Sequence, residues 1–149
     1  MLAPPRSTLL LVAAGASFAL ALLHLTLPAL APGGYVFLGA GTGMVDMARA
    51  GSPFPAMLTT GIGVLLTLFG LYALAGAGLI QLPLTRVLTV AFGCAYLLRG
   101  TLLVPETLLV VYAGRAPQSL LIGAVSVVVG IVYVLGVARR WALMPESRL

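Results

Sequence analysis

The chain has no lysine, one cysteine, one histidine and three carboxylate side chains in 149 residues. Each scarcity removes a class of chemistry. Cys94 has no second cysteine to pair with, so an intramolecular disulfide and CxxC-type thiol exchange are both excluded. His24, with so few acids around it in sequence, lacks the ligand set of a zinc site, and haem held by two histidines would need a second copy of the chain. No Ser-His-Asp pattern stands out for a hydrolase. The expectation is a protein with no cofactor and no metal. Its net charge of +5 is carried by arginines spread along connections, a pattern that orients chains in membranes and does not point to a nucleic-acid partner.

What the chain has in abundance is apolar surface: 61% of its residues are hydrophobic and only 7% are charged, with a mean hydropathy of +1.16. A soluble fold cannot cover so much apolar surface, whereas lipid can. The fold class expected is an all-α membrane protein, a single integral domain over residues 1–149 with spans at about 7–27, 56–80, 87–104 and 120–138. Ser7 is placed to cap the first span, and Pro28 with Pro32, Gly33 and Gly34 ends it. The segment 29–31 (ALA) also fits a signal-peptide cleavage pattern, but the apolar run is longer than the usual h-region of about 7–15 residues, which favours a retained helix.

Residues 31–55 form a long but still apolar connection. Residues 44–50 are expected to make a short interfacial helix with Val45 and Met47 dipping inward and Asp46 beside Arg49 on its face. Pro105 should end or kink the third span, leaving residues 108–112 either to continue the helix or to lie along the surface. Arg139, Arg140 and Trp141 read as a charged stop with an aromatic interface anchor. Four spans put both termini on one side. That side collects Arg6, Arg86, Arg139, Arg140 and Arg148, against Arg49 and Arg115 on the other. The imbalance predicts a multi-pass inner-membrane protein with both termini cytoplasmic and the long first connection outside.

Arg99 is the residue that most needs an explanation. It lies inside the third apolar stretch, where an arginine near the bilayer centre costs roughly 2.5–3.5 kcal/mol on insertion scales. Glu106 is seven residues on, about 10 Å by the rise of a straight helix, so a direct pair within one helix would be strained and a partner from elsewhere is expected. His24, Asp46 and Glu106 fall at a similar outward depth. The inferred arrangement is an outward-opening polar pocket holding Arg99, His24 and Tyr96, with Asp46 or Glu106 as counter-charge. The competing reading is that Arg99 stretches its stem to the headgroups and holds a lipid phosphate.

Small residues recur at helical spacing on three spans: Ala13, Ser17 and Ala21; Gly63, Thr67, Gly70 and Ala77; Gly123, Ser126 and Gly130. In lipid such stripes let helix backbones approach, within the bundle or between copies. Gly39–Gly43 (GAGTG) follows no strand and reads as a hinge rather than a phosphate loop. Cys94 is read as an unreactive packing residue.

The strings GLYALAGAG (70–78) and YLLRG (96–100) resemble ones in small uncharacterised four-span bacterial inner-membrane proteins, and the chain is similar in size and span count to the DoxX-like proteins. The resemblance covers the two middle spans. It implies a four-span bundle, supports the emphasis on Arg99, and transfers no activity. Three functions follow from these observations. The first is a non-enzymatic accessory or binding component whose partners are membrane lipids and a second copy or another membrane protein. The second is a small oligomeric transporter or channel for an anion or proton. The third is a membrane enzyme acting on lipid or quinone.

Overall fold

The computed structural model describes residues 6–113 and 117–144, without the side chain of Ser119. Arg115 and Arg148, used above to orient the chain, lie outside the described residues. The described residues contain helices and no strand. Four stretches are long and apolar enough to cross a membrane: Thr8–Leu30, Phe54–Ala77, Thr85–Ala113 and Leu120–Leu143.

The first stretch is α1 (Thr8–Thr26), which runs on into a 3-10 turn at Leu27–Leu30. Ser7 caps it, its hydroxyl accepting the Leu10 N–H at 3.4 Å. Two short helices follow, α2 (Gly33–Phe37) and α3 (Thr42–Arg49), then α4 (Phe54–Ala77). Gly78 ends α4 with φ +84°, and the Leu79 N–H reaches back to the Leu74 carbonyl at 3.1 Å, the bond that closes a Schellman-type terminus.

The third stretch is broken. Helix α5 (Thr85–Thr101) stops at Leu102 and α6 (Leu103–Ala113) begins beyond it. Pro105 explains the position of the break. It has no N–H for the carbonyl four residues back, that of Thr101, and its ring crowds that carbonyl. At the third position of a new helix the same proline is tolerated, because first-turn N–H groups have no intrahelical acceptor anyway. Residues 108–112 therefore continue as helix past the kink. The last stretch is α7 (Gln118–Arg140), followed by a 3-10 turn at Trp141–Leu143.

The helices pack as two tight antiparallel pairs, α1 with α4 and α5 with α7, joined along α1–α7 and α4–α5. Glycines set the closeness. A Cβ at Gly70 would lie 2.6 Å from the Phe18 ring, one at Gly63 2.7 Å from Leu25, and one at Gly130 2.9 Å from the backbone nitrogen of Leu97. Two of the stripes read from sequence thus lie between helices of one chain, where small residues let the backbones approach. The core contains Leu10, Ala13, Ala14, Phe69, Ala73, Tyr96 and Tyr133, with Phe69 stacked on Phe92 at 4.0 Å. Large apolar side chains point outward all round, among them Leu22, Val64, Leu98, Leu121 and Val128.

A second, smaller cluster seats the first connection on the α1–α4 end: Leu27, Tyr35 and Val45, with Leu38 and Ala48 against them. The Tyr35 hydroxyl lies 3.3 Å from that of Thr59 in α4. Helix α3 covers the segment where an interfacial helix is expected, but its Val45 is buried against the protein itself, while Val36 and Phe37 of α2 are left exposed.

Candidate functional site at the break between α5 and α6

The break brings together two residues that a straight helix would hold apart. Arg99 Nη2 lies 3.1 Å from Glu106 Oε1. This corrects the expectation that Arg99 needs a partner from another span: once the backbone turns at Leu102, the seven-residue separation no longer translates into 10 Å of rise. Each charge also has a favourable helix end. Arg99 sits in the last turn of α5 and Glu106 in the first turn of α6, where the helix dipoles favour a cation and an anion respectively. The pair is partly open, the arginine side chain 36% exposed and the glutamate 17%.

Helix α7 walls the site. A Cβ at Gly123 would come within 3.1 Å of Glu106 Oε2 and 3.0 Å of Leu103, so the glycine admits the carboxylate against the helix backbone. Only one arm of the guanidinium–carboxylate fork is engaged. Arg99 Nη1 and Glu106 Oε2 are both shielded by protein and have no hydrogen-bond partner among the described residues. Chemically the site is a partly open guanidinium–carboxylate pair with one arm closed off by protein.

The other residues singled out from sequence lie elsewhere. Tyr96, on α5, turns into the bundle and donates to the Ser17 hydroxyl at 3.0 Å. His24 is half-buried, and its Nδ1–H donates to the Leu20 carbonyl at 2.8 Å on its own helix. Asp46 pairs with Arg49 at 3.5 Å on α3, both side chains well exposed. Arg99 and Glu106 are thus brought together, and the interactions of Tyr96, His24 and Asp46 are with other residues.

Two features have interactions that the sequence does not disclose. The first is a hydroxyl string through the bundle centre, in which Tyr133, unexceptional in sequence, connects Ser17 to the Phe69 carbonyl. Polar hydroxyls inside apolar spans are its one advance signal. The second concerns the arginines at the opposite end. Helix α7 does end at Arg140, but that arginine is only 6% exposed, and its Nη1 donates to the Ala77 carbonyl at 2.6 Å. A cation at that position satisfies a terminal carbonyl of α4. Arg86 donates to the carbonyls of Trp141 at 2.8 Å and Met144 at 3.2 Å, and its guanidinium lies 4.6 Å from the centre of the Trp141 ring.

No protein-family model, curated protein or solved structure matches the chain.

Proposed function

We propose that this is a multi-pass inner-membrane protein, both termini cytoplasmic, that works as a non-enzymatic binding or accessory component through a polar site at its outer end. The observation that carries this reading is the Arg99–Glu106 pair at the break in the third long apolar stretch. A partly open ion pair, set among exposed apolar residues such as Leu98, Leu102 and Val104, suits recognition of a polar group from within the membrane plane. The apolar exterior supports the membrane assignment, since lipid is the solvent such a surface matches.

The interior supports binding over conduction. Among the described residues the centre is filled by Phe69, Phe92, Tyr96 and Tyr133 in ring contact, with the two tyrosine hydroxyls committed to Ser17 and to the Phe69 carbonyl. A lumen in a single copy would require that cluster to open.

Reconstitution tests the reading. Purified protein in vesicles loaded with a chloride- or pH-sensitive dye is expected to give traces like those of empty vesicles. Flux that disappears in Arg99→Leu would replace binding with transport. Orientation is tested with single cysteines in a Cys94→Ser background. Asp46→Cys is expected to react with an impermeant maleimide on intact cells, and Arg139→Cys only after lysis; the reverse pattern would invert the topology.

A further inference from the structure

At the end of the bundle where α1 begins and α7 finishes, a cleft of about 250 Å³ is lined by Arg6, Ser7, Thr8, Arg139, Arg140 and Leu143 among others. Three arginines line it, Arg6 just ahead of α1 and Arg139 and Arg140 at the end of α7, and no carboxylate lines it among the described residues. The described acids, Asp46 and Glu106, each sit beside their own arginine in other parts of the fold. Arg140 is fixed by its bond to the Ala77 carbonyl, whereas Arg6 and Arg139 are exposed at the rim.

The floor adds to the positive potential. The first turn of α1 contains no acid. Ser7 spends its hydroxyl on the Leu10 N–H, which leaves the N–H groups of Thr8 and Leu9 without an acceptor from within the helix. Leucines 9 and 143 supply an apolar margin to the same cleft. Cations, backbone donors and apolar side chains lining one cleft match a phosphate attached to an acyl chain better than a freely dissolved ion.

From this combination we infer that the cleft binds phosphate, and specifically the headgroup phosphate of an anionic phospholipid. The inference rests on the membrane reading above, because it places the cleft at the level of the headgroups. Basic pockets of this kind between membrane helices are suited to anionic headgroups.

The experiment uses the full chain in nanodiscs of mixed phosphatidylglycerol and phosphatidylcholine, with retained lipid counted by native mass spectrometry. The wild type is expected to retain phosphatidylglycerol over phosphatidylcholine by about twenty-fold, with Arg6 and Arg139 each contributing about fivefold, the scale of one basic residue at an anionic surface. Arg6→Gln should lower the preference to about fivefold, and Arg6→Gln with Arg139→Gln should bring it near parity. Should the double variant not accumulate, Arg6→Gln alone, at an exposed position ahead of α1, carries the test. A preference unchanged by either variant would overturn the site. Full thermal stabilisation by millimolar inorganic phosphate alone, with no further gain from dihexanoyl phosphatidylglycerol, would overturn the lipid assignment and leave a free-phosphate site. Failure of the membrane reading looks different: the wild type would then not enter the nanodisc.

Discussion

The hydroxyl of Tyr133 donates to the carbonyl of Phe69 at 2.8 Å, and that single bond sets the direction of every proton in the string behind it. With its hydrogen spent on Phe69, Tyr133 can only accept from Ser17, 3.0 Å away. Ser17 in turn accepts from Tyr96 at 3.0 Å. The order runs from α5 to α1 to α7 to α4, so one chain of donors ties all four long helices. Its members are buried in a region where water cannot substitute for a lost partner.

Tyr133→Phe removes both the acceptor for Ser17 and the donor for Phe69, and Tyr96→Phe removes one terminal donor. The expected order of destabilisation is therefore Tyr133→Phe above Tyr96→Phe. Interhelical hydrogen bonds in membranes average about 0.6 kcal/mol and reach about 1.7, so the first variant should cost about 1–2 kcal/mol and the second about half that. Unfolding in detergent micelles reads both. Equal losses would mean that the string does not act as a directed unit.

The glycines divide into two classes that should behave oppositely. A methyl group at Gly130 would meet the Leu97 backbone, while one at Gly61 would meet nothing within 4 Å. Gly130→Ala must push α5 and α7 apart and is expected to cost about 1–3 kcal/mol, the range for overpacking. Gly61→Ala should be neutral or stabilising by up to about 1 kcal/mol from helix propensity. Melting temperatures of the two variants in one detergent check the contrast.

The four long helices and the small-residue stripes could be read from composition and spacing because long apolar runs leave the backbone few partners outside its own helix. Partner identity could not. Nothing in the spacing of Ser17 says that it lies between Tyr96 and Tyr133, since that depends on how helices far apart in sequence rotate against each other. Arg99 shows the same limit in another form. Its seven-residue distance from Glu106 is two turns in a straight helix, and the pair forms because Pro105 breaks the helix between them. Hydropathy marks Arg140 as the end of an apolar run, where α7 does end, but it carries no sign that the last carbonyl of a neighbouring helix holds the guanidinium.

For the ion pair, the informative comparison is one partner against both. Glu106→Gln leaves Arg99 half-shielded without a counter-charge, while Arg99→Leu with Glu106→Leu removes the demand altogether. Breaking a fully buried pair costs about 3–5 kcal/mol. With the arginine 36% exposed, about 1–2 kcal/mol is expected for Glu106→Gln, because the surroundings of the open side screen the remainder. The double leucine variant should recover most of that loss. The yield of monodisperse protein by size exclusion separates these outcomes. A double variant worse than either single one would mean that the charges serve folding through contacts other than each other.

Gly78 and Arg140 form the most specific contact at the positive end. The glycine has φ +84°, and a Cβ there would fall on the Arg140 guanidinium. Gly78→Ala therefore carries two penalties, about 1–2 kcal/mol for a left-handed alanine and displacement of the arginine from the Ala77 carbonyl. Arg140→Leu carries a different one, an unsatisfied helix terminus in a buried setting. If displacement of the arginine is the larger part of the glycine's effect, Gly78→Ala should add little in an Arg140→Leu background beyond the backbone penalty. A double-mutant cycle by thermal unfolding measures this directly: strong non-additivity is expected, and simple additivity would mean that glycine and arginine act independently.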